Sequence, residues 1–344
     1  MISPPSPPLG IALLGCGWAA TIHARTLKHF RGDARLFFAS RDAAKAAEYA
    51  RRHGGAGSFG SYEAALRDDR VRVVVVATPP ALHLEMTLAA LAAGKDVVVE
   101  KPPFLRSADF DAVRDAEAAA GGRRVMVAEN YFYKPVAIRL RELVGSGALG
   151  AVRFVRVNAV KRQDTAGWRE DAGLAGGGAL FEAGIHWVNL MANIGLGVAS
   201  AAGFRAGGGD RDAIERSVLV VVRYDEGAVG TLHYSWDVPS PLKGIRVSHV
   251  YGTEGSVSFE SNGLWMIVTG KRGPRLVFPG VRDLLGYRGM WRDFIRALRT
   301  GDGPLMTLDR ARRDVELIEE AYGTMTGAGR QAPAAAEQRF LAAD

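Results

Sequence analysis

The chain has 344 residues, enough for two domains each with its own core. With 48% hydrophobic and 24% charged residues it has an ordinary globular balance, and no apolar run approaches the roughly eighteen residues of a membrane-spanning helix. The formal charge of +7 comes from scattered arginines, without an aromatic-interleaved basic run, a zinc-ligand spacing or a helix-turn-helix pattern, so no nucleic-acid partner is expected.

Residues 1–8 are proline-rich and lack the basic start and apolar core of a signal peptide. They are expected to be a flexible tail on a cytoplasmic protein. From 9 to 128, strand and helix signals alternate. Strands are expected at 11–14, 34–39, 71–77, 97–99 and 124–128. Helices are expected at 21–30, 42–53, 61–66, 82–93 (with Gly94 its stop) and 107–120. The valine run at 71–77 suits a parallel strand covered on both faces. This βαβα order predicts an α/β fold with a doubly wound parallel Rossmann sheet.

After Glu129 the texture changes. A helix at 136–143 leads into a long strand at 151–160, and a second helix is expected at 180–194. Strands follow at 217–224, 228–236, 246–251, 256–259 and 264–268, with hairpin connections at 225–227 and 252–255. Helices at 290–300 and 308–325 close the pattern. Residues 129–330 therefore read as an α+β domain on a large, mostly antiparallel open sheet, whose late helices return toward the first domain. Residues 331–344 read as an Ala-Pro-rich extension.

The first strand leads into Gly15-Cys16-Gly17-Trp18-Ala19-Ala20. Gly15 permits a tight turn, Gly17 lets a pyrophosphate approach the backbone, and Ala20 packs the helix close to the strand. The helix N-terminus then offers free N–H groups to phosphates. Cys16 is the only cysteine and reads as a small filler, so no disulfide forms within one chain. At the end of the second strand, where NAD enzymes usually carry an acidic residue for the ribose, stand Ser40 and Arg41. A hydroxyl and a guanidinium suit a 2′-phosphate, so NADP is expected over NAD. The alternative assigns the acidic role to Asp42, which reads better as a helix N-cap.

Lys101, in Glu100-Lys101-Pro102, follows a strand whose C-terminal end faces the ligand crevice, where an ammonium stabilises a developing alkoxide. Glu182 and His186 lie four residues apart on one expected helix face. His186 exchanges a proton near neutral pH, and Glu182 would orient it, raise its basicity or bind a substrate hydroxyl. The glycines at 176–178 are expected to let the chain pass close to a ligand. No further ligand joins the Glu/His pair, so no metal is expected.

On these residues the chain resembles the Gfo/Idh/MocA family, that of glucose–fructose oxidoreductase and inositol dehydrogenase, from Gly10 to about Gly329. Its glycine turn looks like the family's dinucleotide turn. Ala77-Thr78-Pro79 with His83 is similar to the fourth-strand motif, and Glu100-Lys101-Pro102 matches the family signature. Glu129-Asn130 with Tyr133-Lys134-Pro135 resembles the stretch joining the domains. Trp168-Arg169 and the run 176–186 resemble the substrate-side motif, and residues 251–256 a late turn between sheet strands. The resemblance implies Lys101, His186 and Glu182 at the catalytic centre. It implies a cofactor site of Gly15, Gly17, Trp18, Ala19, Ala20, Ser40, Arg41, Ala77, Thr78, Pro79, His83, Glu100, Lys101 and Asn130, and substrate contacts from Tyr133, Lys134, Trp168 and Arg169. The family usually has Asp where this chain has Glu182, which bears on which substrates fit.

The activity so implied is hydride transfer between NADP, or NAD, and a carbinol carbon of a sugar, sugar derivative or cyclic polyol. Two alternatives remain at this stage: a glycoside-cleaving enzyme with a tightly held cofactor, and a non-catalytic cofactor-sensing regulator. Pocket contacts are expected from loops at 131–134, 160–171, 237–244 and 287–291. The expected partners are a small polyhydroxylated substrate and further copies of the chain, as a homodimer or homotetramer joined through the second domain's sheet.

Overall fold

The computed structural model describes residues 7–207, 214–240 and 244–326. Most of the expected tail, part of the expected 237–244 pocket loop and the whole extension at 331–344 lie outside the described residues. β1 (Leu9–Leu14), β2 (Ala34–Ala39), β3 (Gly57–Phe59), β4 (Val73–Val76), β5 (Asp96–Val99) and β6 (Val125–Val127) form one wholly parallel sheet. Their order is β3-β2-β1-β4-β5-β6. Residues 11–14, 73–76 and 97–99 are buried without alternation, as strands covered on both faces must be. The winding reverses between β1 and β4, and the crevice beyond those strand ends is where such sheets bind ligands.

The connecting helices are α1 (Trp18–Leu27), α2 (Ala43–His53), α3 (Tyr62–Arg67), α4 (His83–Ala92) and α5 (Asp109–Ala119). Ser61 and Asp42 cap α3 and α2, each accepting a backbone N–H from three residues on (3.1 and 3.0 Å). Helix α1 begins three residues earlier than the sequence pattern suggests. Gly17 is its N-cap and the glycine turn flows straight into the first helical turn.

After α6 (Pro135–Gly145), the second sheet takes β7 (Val152–Val160), β8 (Val198–Arg205), β9 (Ser217–Tyr224), β10 (Val229–Ser235), β11 (Val247–Gly252), β12 (Ser256–Glu260), β13 (Met266–Gly270) and β14 (Gly273–Val277). The order is β14-β13-β12-β11-β7-β10-β9-β8, antiparallel throughout except for the β7–β10 pair. Cross-strand register places Phe154, Phe204, Val229, Tyr251 and Ile267 on one face, where all five are exposed. Strands β3, β8 and β14 have no sequence signal. β3 is three residues long, β14 contains proline, and β8 (VASAAGFR) is built from small residues with weak strand preference, held by pairing with β9 and packing against a late helix.

α7 (Ala172–Ala175) and α8 (Ile185–Ala192) lie between β7 and β8, and α9 (Tyr287–Thr300) and α10 (Leu308–Thr326) follow β14. The expected single helix at 180–194 is two pieces. Residues 180–184 form a π-helical turn that passes directly into α8. α10 packs on β8 and α8, and α9 packs on α1 of the first domain. No helix among the described residues is long and apolar enough to cross a membrane.

Candidate active site

The crevice suits a dinucleotide. Gly15 has a φ of +110°, and a Cβ there would sit 2.7 Å from the Ala77 carbonyl oxygen, so β1's exit presses against β4's. A Cβ on Gly17 would meet no protein atom within 4 Å, and no side chain caps α1, which leaves its first N–H groups available to phosphate oxygens. Trp18 opens the helix and is 68% exposed. Cys16 is buried with its thiol toward the Ala39 carbonyl; burial pushes that thiol up, as a filler residue requires. At the end of β2, Asp42 Oδ1 caps α2, and the Ser40 hydroxyl accepts the Asp42 N–H at 3.2 Å. Exposed Arg41 stands between them.

Lys101 stands just after β5. Its ammonium donates to the Glu182 backbone carbonyl at 2.8 Å and lies 4.0 Å from the Glu182 carboxylate. The same carboxylate oxygen accepts Arg169 Nε at 2.9 Å, and the Arg169 guanidinium lies over the Trp168 ring. Burial acts to raise the Glu182 carboxyl, but Lys101, Arg169 and then His186 outweigh it and hold the group below its ordinary range. The second Glu182 oxygen is buried with no hydrogen-bond partner, leaving an acceptor beside the lysine.

His186 Nδ1 lies 2.7 Å from Glu129 Oε1, which also accepts the Tyr131 backbone N–H at 2.9 Å. Glu129, not Glu182, therefore orients the imidazole. An oxygen already taking a backbone N–H fixes Nδ1 as the protonated nitrogen and leaves Nε2 as the base. Among the described residues Nε2 makes no hydrogen bond. The Tyr131 ring stacks on the imidazole (4.2 Å, 11°) and carries the Lys134 ammonium 4.1 Å from its centre. Two groups this close to one ring centre occupy opposite faces. Burial raises the Tyr131 hydroxyl to about 12. A cavity of ≈ 150 Å³ opens beside His186, walled by Tyr131, Trp187 and Trp236, with Lys161 and Arg246 among its lining.

Several expected site residues are placed elsewhere. His83 is 1% exposed, and its ring nitrogens lie 2.8 Å from the carbonyls of Thr78 and Pro102; it ties together the loops after β4 and β5. Tyr133 donates its hydroxyl to Asp293 (2.8 Å) and accepts Met306 N–H (3.1 Å) within the core. The Glu100 carboxylate is held by His23 Nε2 (2.7 Å) and the Lys101 N–H (3.1 Å), and His23 Nδ1 accepts Trp291 Nε1–H (3.0 Å). Asn130 Nδ2 donates to the Leu285 carbonyl at 2.6 Å, while its oxygen is buried without a partner.

The glycines at 176–178 serve packing. Cβ atoms there would lie 2.2 Å from Leu105 Cδ2, 2.6 Å from Phe181 Cβ and 2.0 Å from Glu215 Oε2. Glu215 satisfies the N-terminus of the π-turn through its carboxylate and backbone oxygen, so only glycine fits beside it. Of the expected pocket loops, 131–134 contributes Tyr131 to the cavity lining and 160–171 contributes Lys161 and Gln163. The β10 end (Tyr234, Ser235, Trp236) takes the place of 287–291, where Tyr287 and Trp291 are buried against His23. Among the described residues no group of three His, Cys, Asp or Glu is arranged to hold a metal.

Residues 9–129 match the model of the oxidoreductase family with an NAD-binding Rossmann fold, and residues 137–258 match the GFO/IDH/MocA C-terminal domain. Uncharacterized oxidoreductase sll0816 of Synechocystis sp. is 28% identical over 292 residues, 78% of this chain and 76% of that protein. The 1,5-anhydro-D-fructose reductase of Ensifer adhaerens is 31% identical over 225 residues, 63% of this chain and 66% of the reductase, just under two thirds of its length. Levoglucosan dehydrogenase, solved in complex with NADH and levoglucosan, shares the fold with a TM-score of 0.84 at 22% identity, over 93% of this chain and 98% of that one. With both domains matched, and the strand-end lysine and distant histidine brought to one centre, the chain belongs to the Gfo/Idh/MocA family of oxidoreductases.

Proposed function

We propose that the chain is an NADP(H)-preferring dehydrogenase or reductase acting at a carbinol or carbonyl carbon of a sugar, sugar derivative or cyclic polyol. The observation that carries this reading is the meeting of Lys101 with Glu182, one helical turn before a histidine whose Nδ1 is pinned by Glu129. Bound nicotinamide supplies or accepts the hydride. In the oxidative direction His186 Nε2 takes the hydroxyl proton, and buried Glu129 stabilises the resulting imidazolium. The Lys101 ammonium stabilises charge developing on the same oxygen. In reduction the proton moves the other way. Gly15, Gly17 and the uncapped start of α1 would hold the pyrophosphate. The names of anhydrofructose reductase and levoglucosan dehydrogenase support the substrate class. The NADP preference rests on Ser40 and Arg41 of this chain alone, since the solved levoglucosan dehydrogenase carries NADH.

The test is a titration with NADPH and NADH, followed by tryptophan emission, and then a sugar and polyol screen with the preferred cofactor. NADPH should bind at least about tenfold tighter, and Arg41→Glu should reverse the order. Tighter NADH binding by the unaltered chain refutes the cofactor preference, and no turnover of any polyol refutes the substrate class. The exposed apolar sheet face supports a homodimer or homotetramer, and only monomer mass by light scattering at micromolar concentration would overturn that.

A further inference from the structure

Among the described residues the cavity beside His186 is lined by two cations, Arg246 and Lys161, and by no carboxylate. Arg246 is only 7% exposed, and among the described residues it makes no ion pair within 4.0 Å. Of its five N–H groups, one goes to the Ala159 carbonyl (3.3 Å) and one to Asn262 Oδ1 (2.7 Å). Its Nε is buried without a hydrogen-bond partner, and its guanidinium lies over the Trp187 ring, 5.3 Å from the centre. One acid stands a step removed: Asn262, which takes the guanidinium on its oxygen, donates its amide to Glu260 at 2.9 Å. That acid also serves a second buried cation. Burial lowers the Lys134 ammonium to about 8, Glu260 and Glu129 pull it back up, and Arg246 pushes it further down. Among the described residues no acid pairs directly with Arg246 on this wall of the cavity.

Neutral polyols do not account for this. A desolvated guanidinium with unspent donors is costly to maintain unless an anion completes it. A planar five-donor fork matches a carboxylate in two-point contact, where an ammonium offers only a point charge. Resting on the hydride-transfer reading of the same site, we propose that the substrate is a sugar acid, with Arg246 reading its carboxylate and Lys161 adding charge at the rim. The reacting carbinol then lies toward His186 and the acid toward β11 and the β12–β13 connection, across a cavity with aromatic side walls.

The test compares D-glucuronate, D-glucose and D-glucose 6-phosphate as ligands of the cofactor-loaded protein. Binding is followed by emission of Trp187 and Trp236, which line the cavity, alongside turnover. Glucuronate should bind roughly tenfold or more tightly than glucose. The ratio should collapse in Arg246→Gln, recover in part in Arg246→Lys and fall less in Lys161→Gln, whose exposed side chain does not threaten folding. Equal binding of acid and neutral sugar, a ratio that survives Arg246→Gln, or a preference for the phosphate over the carboxylate overturns the proposal. Turnover of neutral sugars alone overturns it while leaving the dehydrogenase reading intact. Selective glucuronate binding without oxidation of either sugar upholds the carboxylate site and removes the hydride-transfer reading instead.

Discussion

Replacing Glu129 with Gln isolates what its charge does for His186. Glutamine carries one acceptor and one donor where glutamate carries two acceptors, and two orientations of the amide are open to it. The structure chooses between them. The Tyr131 backbone N–H already occupies Oε1 at 2.9 Å, the oxygen that also faces His186 Nδ1, so the amide oxygen must sit there. The imidazole keeps its tautomer and its hydrogen bond and loses only the buried charge. A charge-assisted bond contributes about 1.5–3 kcal/mol and a neutral one about 0.5–1.5, so the transition state loses about 1–2 kcal/mol. That is roughly a 5- to 30-fold fall in kcat, with KM little changed. The amide nitrogen lands where Glu129 Oε2 is buried without a partner, at a further stability cost of about 1–3 kcal/mol visible as a lower Tm. Steady-state kinetics at saturating cofactor check the first figure. A loss of a thousandfold or more would mean the amide has turned its NH₂ to the imidazole, so that Tyr131 does not control it. An unchanged kcat would remove Glu129 from the mechanism.

Three further outcomes are expected. Lys101→Met should cut kcat by roughly a hundredfold or more while NADPH affinity stays within about threefold, read by turnover and tryptophan titration; undiminished turnover would sink the role of Lys101. Lys134 titrates at about 8 when folded against an ordinary 10.5, so the unfolded chain binds more protons between these values. A penalty of roughly 3 kcal/mol is then fully present below pH 8 and fades as pH rises toward 10.5. Lys134→Met should lack this alkaline rise in stability in urea titrations across that range, and a parallel pH profile would contradict the assignment. Gly178→Ala drives a Cβ to 2.0 Å from Glu215 Oε2 and disturbs its bonds to Leu180 N–H and the Tyr322 hydroxyl. It should lower stability by about 1–3 kcal/mol and depress kcat through the displaced π-turn, whereas a wild-type melting curve would show that Glu215 yields freely.

Apart from β3, the parallel sheet was legible because its strands are short apolar runs, valine-rich from β4 to β6, that alternate with helical segments, a pattern that needs only local information. The places of Lys101, just after a strand, and His186, on a helix, were legible for the same reason. What escaped depends on distant partners. Glu129 meets His186 across 57 residues of sequence, and Glu182 turned from histidine to arginine because a π-turn moves its side chain off the α-helical register. His83 and Tyr133 sit in segments that resemble functional motifs, yet nothing local distinguishes a histidine binding two carbonyls from one facing a ligand. The glycine run looked like a ligand approach because glycine answers crowding from any source, and here the crowding comes from Leu105, Phe181 and Glu215.

The buried chain from Trp291 through His23 and Glu100 to the Lys101 N–H has a consequence for how the molecule is made. Lys101 leaves the ribosome 190 residues before Trp291, an interval of roughly ten to forty seconds at about 5–20 residues per second. Until then the nascent first domain holds an uncovered histidine and a carboxylate whose clamp is unfinished. The clamp beside the lysine is completed by a helix translated well after the parallel sheet. A fragment ending near residue 128, however well its sheet forms, would lack the indole that completes this clamp, so the nucleotide-binding half is not a module to be grafted alone.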